Sequence, residues 1–98
     1  MSLSEEFRNI AQEGIIEFLE DFRTRSNELM YTSKGLLSEH PQDFNFGHTM
    51  GYLEGVLSTQ FTSMYQRSMT FEENLEIRKM LSKIASEIRQ LIFDAEHR

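Results

Sequence analysis

The sequence predicts an all-α fold: an antiparallel three-helix bundle with a long first helix, completed by dimerisation. Three observations carry this. Apolar residues recur at three- and four-residue spacing along most of the chain. Two breaks divide the pattern, one at Pro41, the only proline, and one between Met69 and Thr70. Between those breaks lies a stretch, Phe46 to Met69, with a single acid, Glu54, and a single base, Arg67. A helix with so little charge must be covered on most sides, because the surface helices of soluble proteins normally carry a charged, solvated face.

The first helix is expected over about 3–39. Ser4 or Ser2 can cap it, with Glu5 and Glu6 at the end that favours negative charge. Phe7, Ala11, Ile15, Phe18, Phe22, Leu29 and Leu36 fall on one face, and Ile16, Leu19, Met30 and Leu37 form a second, weaker strip. Glu6, Glu13, Glu17, Glu20, Asp21 and Glu28 lie opposite. Thr24-Arg-Ser-Asn27 and Tyr31-Thr-Ser33 consist largely of poor helix formers and Gly35 is a further weak point, but the periodicity runs through them, so one long helix with room to bend is expected. Arg25 stands between Phe22 and Leu29 on the apolar side, where an interface or a snorkelling side chain explains it equally well.

The second helix is expected over about 44–69, capped by Asp43 or Asn45. Phe46, Met50, Leu53, Leu57, Phe61 and Met64 make its bulky stripe. Gly47, Gly51, Gly55, Ser58 and Thr62 make a face of small residues. Each glycine costs about 1 kcal/mol of helix propensity relative to alanine. Close approach of another helix backbone is the preferred explanation. The alternative is a glycine-floored ligand cleft rimmed by His48, Tyr52 and Thr59, with Glu54 beside it. Glu54 needs a partner if covered, and Tyr31 or Lys83 is expected to supply it.

The third helix is expected over about 71–96. Thr70-Phe-Glu-Glu73 has the spacing and residue types of a capping box. Ile77, Met80, Leu81, Ile84, Ala85, Ile88, Leu91, Ile92 and Ala95 form its stripe.

Composition narrows the function classes. Net charge is −6, from 16 acids and 10 bases, which disfavours direct binding to phosphate backbones. There is no cysteine, hence neither disulfide nor thiolate metal site, which suits a reducing, cytoplasmic setting. Neither a membrane span nor a secretory leader is visible. His40, His48 and His97 form no helical pair, and no phosphate loop, dinucleotide fingerprint or Ser-His-Asp order is present. No cofactor is expected.

Glu17-x-x-Glu20 and Glu73-x-x-Glu76 resemble the carboxylate pairs with which all-helical nucleotide pyrophosphatases hold magnesium. That resemblance implies a metal-assisted hydrolase. The Glu-x-x-Asp element of that family is missing from the last helix, and Glu17 and Glu20 stand opposite the apolar stripe. A solvated face is therefore the preferred reading, and no metal site is assigned.

The expectation is a single helical domain over 1–98 that binds other macromolecules as an adaptor, regulator or inhibitor, without catalysis of its own. The alternative is a small-molecule or nucleotide binder, or a hydrolase using helical carboxylates. Self-association follows from helix length. A first helix of about 54 Å would overhang second and third helices of about 36–40 Å, with facing residue numbers on the first two adding to about 85. The overhang would expose Phe7, Ile10, Ala11, Ile15, Ile16, Phe18 and Leu19, too large a patch for a typical monomer. A homodimer, or a tetramer, is expected through those residues and through Gly47, Gly51 and Gly55.

Overall fold

A computed structural model describes residues 2–29 and 41–96. Among the described residues there are four helices: α1 (Glu5–Leu29), α2 (Pro41–Tyr65), α3 (Phe71–Lys83) and α4 (Ala85–Glu96). The all-helical class is as predicted; the count of three is not. Ile84 interrupts the last helix at φ −103°, ψ 2°, and its N–H donates to the Leu81 carbonyl, three residues back and 3.1 Å away, instead of four residues back. Neither proline nor glycine stands there to announce the break.

Ser4 caps α1, its Oγ accepting from the Phe7 N–H at 3.2 Å. The first of the weak sections bends, with Arg25 at φ −125°, ψ 26°, outside the helical region, and the others lie outside the described residues. Arg25 is exposed. The remainder of the expected first helix, including Tyr31, Leu36 and Leu37, lies outside the described residues. Helix α2 starts earlier than predicted, at Pro41, the first-turn position proline tolerates best. Asp43 and Asn45 are therefore inside its first turns rather than caps. It ends at Tyr65, and Gln66 turns the chain out with φ 56°.

Thr70 and Glu73 start α3 with the predicted capping box. Glu73 N–H donates to Thr70 Oγ1 (3.2 Å), and Thr70 N–H donates to Glu73 Oε1 (2.8 Å).

All four helices feed one core: Leu3, Phe7, Ala11, Ile15, Leu19 and Phe22 from the α1 segment, Leu53, Leu57 and Phe61 from α2, Ile77 and Leu81 from α3, and Ile88 and Ile92 from α4. The register differs from expectation. Ser4–Tyr65, Phe7–Phe61 and Phe18–Tyr52 are in contact, so facing residue numbers on α1 and α2 add to 68–70 rather than about 85. Helices α3 and α4 then run alongside α1, through Arg8–Glu76 and Arg23–Glu87.

This slides α2 back over the start of α1 and removes the overhang. Phe7, Ala11, Ile15 and Leu19 are buried in the chain's own core, and Ile10 and Phe18 are half-buried. Only Ile16 of the expected patch is exposed, at 57%. The argument for dimerisation through the first helix therefore fails.

Candidate functional site

The most unusual surface lies on α2. Its core stripe, Leu53, Leu57 and Phe61, is buried, with Phe46 and Met50 packed against it, while Met64 at the end is exposed. The opposite face carries Gly47, Gly51, Gly55, Thr59 and Thr62, all exposed. None of the described helices approaches this face. A Cβ added at Gly47, Gly51 or Gly55 meets nothing within 4 Å. The close approach of another helix backbone expected at the glycines is not made by any described helix of this chain.

Between Phe44 and Gln66 the only charge is Glu54, and it sits at the edge of this face, half-buried. Its partner is Arg78 of α3, whose Nε donates to Glu54 Oε1 at 3.0 Å. Tyr31 lies outside the described residues, and Lys83 is replaced by a residue five positions earlier because the register is shifted. Arg78 is 62% exposed, and such pairs contribute little, with a median below about 1 kcal/mol. Glu54→Gln is accordingly expected to change the free energy of unfolding in urea by less than about 1 kcal/mol; a loss above about 2 kcal/mol would contradict the assignment.

The four residues placed on a ligand rim are only partly brought together. Gly51, Tyr52, Gly55, Val56, Thr59 and Gln60 line a shallow open groove of about 440 Å³. Tyr52 is 57% exposed, its ring tilted against Phe18 at 6.1 Å. His48 is stacked on Phe44 (6.1 Å, 8°) a turn away, outside the groove lining. Glu54 turns toward α3. Val56 and Gln60 complete the groove, and nothing but their helical spacing from Tyr52 marks them in the sequence.

The carboxylates of the hydrolase alternative are committed elsewhere. Glu73 is buried, receiving both guanidinium nitrogens of Arg67 at 2.8 and 2.9 Å. Arg67 holds the Glu73 carboxyl down to about 2, with the Thr70 backbone N–H adding to this against the opposing effect of burial. Glu76 accepts from the Leu3 N–H (3.0 Å) and from Arg8 Nε and Nη2 (3.1 and 3.0 Å), which together lower its pKa, the Leu3 bond most. Glu17 and Glu20 are exposed on α1. Among the described residues, no three His, Asp or Glu side chains are grouped to hold a metal ion. No described helix is long and apolar enough to cross a membrane.

Open space around the glycines makes a simple prediction. Gly51→Ala is expected to raise stability at low protein concentration by about 0.5–1 kcal/mol, from helix propensity alone. A loss of stability in a urea titration would show that the position is occupied after all.

No protein-family model, curated protein or solved structure matches the chain.

Proposed function

We propose that the protein acts by macromolecular association, as an adaptor, regulator or inhibitor, without catalysis of its own, and that its working surface is the exposed face of α2. One observation carries this reading: 25 residues of helix expose a face with no charged residue between Asp43 and Arg67 apart from Glu54 at its edge. Water gives no reason for such a face, and helix propensity opposes its glycines at about 1 kcal/mol each. The groove supports association over small-molecule binding, since ligand pockets bury about 70–90% of their occupant and this one is open along its length.

The first partner in this reading is a second copy. A chain of net charge −6 repels its own kind, and a face without acids is where two copies meet at least electrostatic cost. The test is light scattering across the micromolar range at low and high salt. Association through the α2 face is expected to produce a dimer that persists when salt rises, because no charge pair is screened. A monomer at every concentration would overturn the dimer, and a dimer that dissociates in salt would move the interface to a charged face.

A further inference from the structure

The exposed face of α2 is graded in size along its length. At 3.6 residues per turn, Phe44, His48, Gly51, Gly55 and Thr62 fall within about 60° of one another around the helix, opposite the buried stripe of Leu53, Leu57 and Phe61. All five are exposed. At one end Phe44, 45% exposed, and His48 stack their rings nearly parallel, at 8°. In the middle, nothing stands within 4 Å of a Cβ placed on Gly51 or Gly55, two of the residues lining the groove of about 440 Å³. At the other end the Thr62 hydroxyl donates to the Ser58 carbonyl at 3.0 Å, so covering Thr62 leaves no donor without a partner. One line along one helix therefore runs from a pair of rings, through a glycine recess, to a small side chain.

We propose that a second copy docks along this line with two-fold symmetry and antiparallel α2 helices, the axis level with Leu53, midway between Gly51 and Gly55. Gly51 of each copy then faces Gly55 of the other, and Phe44 faces Thr62. The inference rests on the α2-face reading above and adds direction and register to it. A two-fold interface has to fit itself, because one patch supplies both sides. Reversal achieves that fit here. Each ring end meets a small end, and the two backbones come closest where the glycines leave room. A parallel pair would instead set Phe44 against Phe44 and hold the glycines of the two copies apart. Charge agrees with the docking. The charged groups at the ends and edge of the face are already paired within the chain, Asp43 with Arg89, Glu54 with Arg78 and Arg67 with Glu73. A second copy therefore covers no lone charge, the costly case in any interface.

Exchanging the sizes tests the register by sedimentation equilibrium. Phe44→Ala removes the ring, and Thr62→Phe puts a second ring where the first should seat. Each alone is expected to weaken the dimer about tenfold or more. Combined in one chain they return one ring to each facing pair, and the double variant should dimerise at least about fivefold more tightly than either single variant. Both positions are exposed, so the circular dichroism spectrum should stay that of wild type. The chain has no cysteine, which opens a second reading that adds no bulk. In an oxidised equimolar mixture of Phe44→Cys and Thr62→Cys chains, the mixed disulfide should predominate. Position 44 lies about 27 Å along the helix from position 44 of the other copy, far beyond the roughly 4.4–6.8 Å between Cα atoms that a disulfide spans. A wild-type dimer with no recovery in the double variant, or with the Phe44→Cys homodimer as the main disulfide, would overturn the register and leave the α2-face reading standing. A wild-type monomer would overturn both.

Discussion

Phe61→Ala is expected to lower the free energy of unfolding by about 3–5 kcal/mol, the range for emptying a packed aromatic site. Phe61 is 1% exposed and joins three parts of the fold. Its ring meets Phe7 of α1 edge-on at 5.1 Å and Tyr65 at 4.7 Å, and the Arg67 guanidinium lies 4.9 Å from its centroid. Truncation leaves a cavity where α1 crosses α2, and it strips the ring from beneath Arg67. Against a total of about 5–15 kcal/mol for a domain of ordinary stability, that is a large share. Urea unfolding should show a lower midpoint with an unchanged slope. A loss under about 1 kcal/mol would mean that Phe61 is not a packed core residue.

The second large effect is expected at Glu73. Glu73→Ala removes half of the capping box and the bidentate partner of Arg67, and should cost about 2–4 kcal/mol. Acid provides an independent reading of the same site. The carboxyl sits at about 2 in the folded chain against an ordinary value of 4.5. A group whose folded pKa is depressed contributes fully above its unfolded pKa and loses that contribution as pH falls toward the folded one. Wild-type stability should therefore drop as pH falls from about 4.5 to about 2. Glu76, lowered for a similar reason, contributes in the same direction. Glu73→Gln keeps the shape without the charge and should flatten that dependence. An equal acid response in wild type and Glu73→Gln would show that Glu73 is not ionised in the fold.

Much of this architecture was legible in local spacing. The Thr70–Glu73 box marks where α3 starts, and the stripes containing Phe7, Leu57, Ile77 and Ile88 identify core positions, because each depends on neighbours within a turn or two. Register was not legible in that way. A first helix taken to residue 39 pairs Met69 with residue 16, whereas the contacts place Tyr65 beside Ser4 and Phe7. That one offset turned buried Phe7, Ala11, Ile15 and Leu19 into a supposed overhang; the pairing of Glu54 with Arg78 instead of Lys83 follows separately from α2 ending at Tyr65 rather than at Met69. The break at Ile84 has no local signal at all. On α2, the spacing of Gly47, Gly51 and Gly55 announced a face without bulk, but a pattern of absences does not say what lies over it. The missing charges around that face are the more informative signal, and they were visible from the start.

The most direct test of the central claim, that the exposed face of α2 is where the protein associates, is sedimentation of wild type beside Gly51→Leu. The groove has room for leucine in the isolated chain, since nothing stands within 4 Å of a Cβ at that position. The expected result is a dimeric wild type and a monomeric variant that remains folded and, at protein concentrations where wild type is also monomeric, is at least as stable to urea. A variant that dimerises as well as wild type, or that unfolds, would contradict it.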